Sequence, residues 1–282
     1  MYLDHYGLKE LPFGITPDTS FAFDCASQQE ALNTLLVAVM GGEGFVKITG
    51  EVGTGKTLLC RRFLSSLGES YVTAYLPNPA LDPRSLLLSL ADELDIPLDP
   101  QISQHQLVKN LALALLGFAR KGKRVVACLD EAQAMPLEAL ETLRLLSNLE
   151  TEKRKLLQVL LFGQPELDKN LSRQSARQLL QRITFQYRLG SLSRGEMEYY
   201  LAHRLRVAGL AGGRLFSRGA LRAMFRASRG VPRLINVLAH KSLLLVYGEG
   251  GQQVLSRHVR AAAADTPACR RGVGSWLGGE RS

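Results

Sequence analysis

The chain is short of cysteine, tryptophan and long apolar runs, and each shortage excludes something. Of 282 residues, four are cysteine and one is tryptophan. Cys25, Cys60, Cys128 and Cys269 form no CxxC pair and no Cys/His cluster, so neither a zinc site nor a disulfide framework is expected. No N-terminal stretch has the basic-then-apolar form of a signal peptide. The longest apolar segments, near Leu86–Ala91 and Leu111–Ala119, are too short to span a bilayer. The expectation is a reduced, cytoplasmic protein without a transmembrane segment.

Net negative charge is lacking too. Lys and Arg number 35 against 26 Asp and Glu, a formal charge of +9. The excess is uneven, with 16 basic and 21 acidic residues in 1–172 but 19 and 5 in 173–282. A basic surface can serve nucleic acid, anionic lipid, phosphate ligands or an acidic protein, and charge alone does not choose among them. A hydrophobic content of 46% suits a globular core and argues against a disordered or collagen-like chain.

What is present is alternation. FVKITG (45–50), YVTAYL (71–76), RVVACLD (124–130) and LLQVLLFG (156–163) read as short apolar strands, and FQYRL (185–189) as a fifth. Helical patterns at 27–40, 83–95 and 104–120, and another after Pro136, lie among them. This is α/β patterning, a parallel sheet covered on both faces. After Gly190 the strands stop. SRGE at 193–196 matches a capping box that opens a helix to about 208, and further helices are expected over 217–228, 231–247 and 256–264. The expected organisation is an α/β nucleotide-binding domain over 1–190, a helical domain over 191–265, and a disordered Gly/Arg-rich tail over 266–282.

GEVGTGKT at 50–57 fits G-x-x-x-x-G-K-[ST] between an expected strand and an expected helix. Gly50, Gly53 and Gly55 let backbone N–H groups turn toward phosphate oxygens, and the following helix adds its positive end. Lys56 is expected to bridge the β- and γ-phosphates, and the Thr57 hydroxyl to hold Mg²⁺. Nucleotide binding is thus assigned to Gly50, Glu51, Val52, Gly53, Thr54, Gly55, Lys56, Thr57 and Leu58. VVACLDE at 125–131 is an apolar strand ending in two carboxylates. Asp130 is expected in the Mg²⁺ shell, and Glu131 is expected to polarise water for attack on the γ-phosphate. The two motifs support each other and point to nucleoside triphosphate hydrolysis.

Three further residues are candidates for catalysis. Gln164, after the fourth strand, is either a contact to the γ-phosphate or attacking water or simply a turn residue before Pro165. Arg182, before the fifth strand, is either a finger donated to a neighbouring subunit's nucleotide or a solvated arginine, with Arg173 and Arg177 as rivals for the role. Arg233, in GVPRLIN (230–236), could reach the γ-phosphate from the helical domain or lie on the surface of a helix's first turn.

Taken together, these motifs resemble the AAA+ ATPase class. The N-terminal YGLKELPFGITPD, LDEAQ (129–133), FGQPEL (162–167) and QRITFQYRLGSLS (181–193) are similar to one bacterial family, the general secretion pathway protein A (ExeA-type) ATPases and the MSHA-pilus ATPase MshM. The resemblance covers about residues 1–265. It implies ATP as the nucleotide, a three-layer α/β/α sheet of order 5-1-4-3-2, a helical lid, and rings or arcs of subunits. It also implies that Tyr6, Leu8 and Phe13 lie near adenine, with core packing the equal alternative. Secretion-type members carry a membrane segment and a peptidoglycan-binding domain that this sequence lacks, which favours the short MshM-like branch. The functional expectation is an ATPase binding ATP/ADP and Mg²⁺ that supports type IV pilus biogenesis or type II secretion assembly. It would be recruited to the inner membrane by assembly components. A DNA-binding regulator of transposition or replication is the alternative, not favoured because no recognition helix stands out.

Overall fold

The computed structural model describes residues 2–16, 19–21, 23–151 and 154–270. They form two units.

The α/β unit comprises residues 26–52 and 56–190. Its strands are β1 (Phe45–Gly50), β2 (Tyr71–Leu76), β3 (Arg124–Leu129), β4 (Leu157–Gly163) and β5 (Ile183–Leu189). All pair in parallel in the order β5-β1-β4-β3-β2, which is the expected order. β1 and β4 are buried at every residue, which explains their continuous apolar runs. Their side chains alternate between two cores, as a period of two requires. Phe45, Ala127, Val159 and Leu161 face one core, and Val46, Ile48, Cys128 and Phe162 the other.

Helices α1 (Ala26–Gly41) and α2 (Lys56–Ser66) cover the second face. Helices α3 (Pro83–Glu93), α4 (Gln104–Arg120), α5 (Leu137–Leu146) and α6 (Pro165–Leu171) cover the first. Their starts follow local chemistry. The Asp82 carboxylate accepts the Arg84 and Ser85 N–H groups ahead of α3, with Pro83 in the first turn. Ser103 caps α4 through the Gln106 N–H. A short antiparallel ladder, Glu150–Thr151 against Arg154–Lys155, has no counterpart in the sequence reading.

The helical unit comprises residues 2–25, 53–55 and 191–270 of the described chain. Its helices are α7 (Arg194–Val207), α8 (Arg218–Ser228), α9 (Pro232–Gly248) and α10 (Ser256–Ala264). Both halves of the Ser193–Glu196 capping box form. Gly230 has φ +77, and a Cβ there would lie 2.0 Å from the Leu192 carbonyl oxygen, so only glycine fits.

The expected boundaries shift at both ends. The first 25 residues group with the helical unit and not with the sheet. The reason is tertiary. Arg204 is buried, donates from Nε to the Pro12 carbonyl at 2.5 Å, and lies 4.6 Å over the Phe21 ring. Asn236 donates to the Gly14 carbonyl at 3.1 Å, and the Tyr6 hydroxyl donates to that of Leu243 at 3.3 Å. At the other end, where a tail is expected from residue 266, a helical turn forms over Pro267–Arg270. The rest of that tail, 271–282, lies outside the described residues. No helix among the described residues is long and apolar enough to cross a membrane.

Candidate functional site

The carboxyl ends of β1 and β3 carry the chemistry. Parallel strands present these ends together, and β4 lies between the two strands. β1 stops at Gly50, and α2 starts six residues later at Lys56. Gly53 and Gly55 take φ +82 and +97, left-handed values that glycine adopts without a Cβ penalty. Glu51 and Val52 are exposed, Gly53, Gly55, Thr57 and Leu58 half-buried, and Thr54 and Lys56 buried. Lys56 bends over its own loop, with Nζ donating to the carbonyls of Gly50 at 2.8 Å and Glu51 at 3.1 Å. Burial pushes the Lys56 ammonium below the usual lysine range, against the pull of the Glu131, Asp130, Glu51 and Glu166 carboxylates.

Thr57, the next residue on α2, donates from Oγ1 to Asp130 Oδ2 at 2.5 Å. Asp130 follows β3 directly and is buried. Burial raises its carboxyl above the ordinary range, although hydrogen bonds from Thr57 and the Glu131 N–H oppose the rise. Tyr75, which sequence reasoning did not single out, reaches the same Oδ2 at 3.5 Å. Burial, and secondarily the Asp130 charge, push its phenol up to about 12.

Glu131 has a left-handed backbone, φ 53, uncommon for a residue with a side chain. Two glutamines hold it. Gln133 donates from Nε2 to Glu131 Oε2 at 2.6 Å, and Gln164 donates to the same oxygen at 3.0 Å. Gln133 Oε1 in turn accepts the Gln164 N–H at 2.9 Å, and Asn170 Nδ2 donates to the Gln133 carbonyl at 3.2 Å. Burial works to raise the Glu131 carboxyl, but these side-chain hydrogen bonds and the Lys56 charge outweigh it and hold the group low. Both donors use Oε2, so among the described residues Oε1 keeps its capacity to accept from a water. Gln133 is a site residue the sequence reading missed; its place in LDEAQ, two after the carboxylate, was the available signal.

The arrangement is a glycine-bearing strand-to-helix loop that ends in a buried lysine, followed by a hydroxyl–carboxylate pair and a restrained carboxylate. Residues 39–171 match the family model described as an AAA domain. The chain is 39% identical, over 279 residues and 99% of its length, to general secretion pathway protein A of Aeromonas hydrophila. The fold is that of the P-loop AAA+ proteins. It spans about half of that relative, 51%. Solved structures with the same fold include the Aeropyrum pernix ORC2 protein in its ADPNP–ADP complexes. That match has TM-score 0.63 and 16% identity over 89% of this chain and 72% of that one. Cdc6p of Pyrobaculum aerophilum matches with TM-score 0.64 and 18% identity over 88% and 70%. The Thermotoga maritima RuvB branch migration motor matches with TM-score 0.59 and 15% identity over 88% and 73%.

The remaining candidate residues fall in different places on this AAA+ frame. Arg182 precedes β5, whose Ile183 pairs with Phe45 at the start of β1 while Leu189 pairs with Gly50 at its end. Arg182 therefore lies at the opposite end of the sheet from the loop, about 20 Å away at 3.3 Å per residue. It cannot serve this chain's own loop. Arg173 and Arg177 are exposed. Arg233, in the first turn of α9, donates its N–H to the Gly53 carbonyl at 3.2 Å, both within the helical unit as grouped above. Tyr6, Leu8 and Phe13 are buried in the core of the helical unit, and Phe13 packs edge-to-face on Phe216.

Proposed function

We propose that this chain binds ATP with Mg²⁺ on the Gly50–Thr57 loop and hydrolyses it to ADP and phosphate. The cycle would support assembly of a type IV, MSHA-like pilus or a type II secretion apparatus. The observation that supports the chemistry is the Thr57–Asp130 hydrogen bond beside Lys56, which feels the Glu131 and Asp130 charges, at the carboxyl ends of β1 and β3 with β4 between them.

The roles follow from the contacts. Lys56 exchanges the Gly50 and Glu51 carbonyls for phosphate oxygens, a charge-assisted gain. A threonine hydroxyl beside a buried carboxylate is a hard-oxygen donor set of the kind Mg²⁺ takes, its remaining positions going to phosphate and water. When bound, Mg²⁺ supplies positive charge against the triphosphate. Glu131, fixed through Oε2, accepts a proton or hydrogen bond from water at Oε1, and Gln164 holds the carboxylate in that attitude. Arg233 offsets phosphate charge from its position against Gly53. Arg182, too far from its own loop, acts on a neighbour's nucleotide in a ring or arc of subunits.

The assembly role rests on the likeness to general secretion pathway protein A, and the inner-membrane location on recruitment by a partner. Glu131→Gln should keep ATP binding and lower hydrolysis by about 10²-fold or more. A wild-type protein that hydrolyses no ATP, alone or with secretion or pilus components, would refute the reading. So would a Glu131→Gln variant as fast as wild type. In the host, a deletion strain should lose surface pili or secreted protein, and Lys56→Ala should not restore them.

A further inference from the structure

The nucleotide site accounts for few of the arginines. By unit, the α/β part carries 19 basic and 17 acidic residues, and the helical part 16 and 9. Five arginines of the helical unit line one groove. Helix α8 sets Arg218, Arg222 and Arg226 four residues apart, all exposed, on one stripe. Successive members stand about 6 Å apart along the helix. Arg218 and Arg222 of that stripe line the groove, where Arg206 of α7 and Arg214 of the α7–α8 loop are also exposed. That groove has a volume of about 1150 Å³. Its other lining is apolar, with Leu205, Leu210, Leu215 and Leu221 beside an exposed Tyr199. One carboxylate lines it, Glu198, and that is already paired with Arg194 at 3.4 Å.

We propose that the α7–α8 groove is a docking site for an acidic, amphipathic segment of a protein partner. Leucine and aromatic side chains would sit on the apolar floor, and carboxylates would meet the arginine rim. Three features select this occupant. The volume exceeds the roughly 300–1,000 Å³ usual for small-molecule pockets. The leucine floor rewards apolar side chains, which a phosphate backbone does not bring. A second copy of this chain offers no net negative unit, since both units carry a surplus of base. Arginine rather than lysine suits paired recognition of planar carboxylates. The proposal is independent of ATP turnover.

The test uses the full chain without nucleotide. The probe is a fluorescein-labelled helical peptide of about 14 residues, long enough to hold some helix, built from Glu and Leu with the leucines on one face. Fluorescence anisotropy should show saturable binding that weakens between about 50 and 200 mM salt. The same peptide with Gln for every Glu, and one with Ser for every Leu, should each bind at least about tenfold more weakly. Arg218→Glu/Arg222→Glu should lose about tenfold or more, and Arg218→Gln/Arg222→Gln an intermediate amount, with unchanged melting curves and unchanged ATP binding. If the charge reversal destabilises the fold, the Gln pair carries the comparison. Three results overturn the proposal: no binding of the Glu/Leu peptide at low salt, equal binding by the Gln peptide or by the variants, or a short DNA strand or duplex that binds more tightly and displaces the peptide.

Discussion

Gln133 offers a sharp test of how Glu131 is held. In Gln133→Ala, Glu131 loses the 2.6 Å donor on its Oε2, and the Gln164 N–H loses its acceptor at 2.9 Å. A hydrogen bond to a charged group contributes about 1.5–3 kcal/mol, and a neutral one about 0.5–1.5 kcal/mol. Gln164 still reaches Glu131 at 3.0 Å, so part of the restraint survives. The left-handed backbone of Glu131 costs about 1–3 kcal/mol and persists only where neighbours enforce it. Losing about 1.4–2.8 kcal/mol of positioning corresponds to a roughly 10- to 100-fold fall in kcat. ATP affinity should change little, because neither lost bond touches the loop. The carboxyl of Glu131 should also rise toward its ordinary value, since Gln133 is the leading influence holding it down. Steady-state hydrolysis and equilibrium binding of a labelled ATP analogue separate the two effects. Gln133→Ala that is folded and hydrolyses ATP at the wild-type rate would refute the reasoning, as would a loss confined to binding.

Other perturbations probe the rest of the frame. Asp130 has a raised carboxyl in the fold, so its contribution to stability is present below the ordinary carboxylate range and lost as pH rises through the folded value. Asp130→Asn should therefore melt at a higher temperature than wild type at pH 7, with the difference shrinking toward about pH 4, while Mg²⁺-dependent ATP binding falls; a lower melting temperature at pH 7 contradicts this. Gly230→Ala should destabilise the helical unit by about 3 kcal/mol or more, because φ is +77 and the new Cβ meets a backbone oxygen, and calorimetry would read the loss. Arg182→Ala should spare ATP binding and lower hydrolysis, by as much as about 10³-fold if it is a trans-acting finger. Normal hydrolysis by that variant moves the role to Arg177 or Arg173.

The local parts of this structure were legible and the long-range parts were not. Helix α4 starts and stops where the Ser103 cap and the apolar spacing place it, and β1, β3 and β4 are apolar runs that end at glycine or a charge. The Gly50–Thr57 loop and Asp130/Glu131 were visible because each motif lies within one strand-to-loop junction. Gln133 was not, because a short helical turn after the left-handed Glu131 folds it back toward its neighbour. The partnership of Arg204 with Pro12 spans 192 residues and has no local signature. An arginine read as surplus charge is in fact buried, stacked and hydrogen-bonded. The α8 stripe was readable as spacing, but its apolar floor comes from α7 and the following loop.

The discontinuous make-up of the helical unit also sets an order of events during biosynthesis. Tyr2, Tyr6, Leu8, Phe13 and Phe21 leave the ribosome before the sheet, yet the helices that bury them come after residue 190. At about 5–20 residues per second, the stretch from 191 to 265 takes about 4–15 s to emerge once the sheet is complete. During that interval the α/β unit can close on its own contacts while the leading aromatics wait uncovered. A fragment ending at residue 190 keeps that sticky leader permanently, whereas one running from 26 to 190 sheds it. Comparing the solubility of the two fragments would show how much of the chain's aggregation burden its first 25 residues carry.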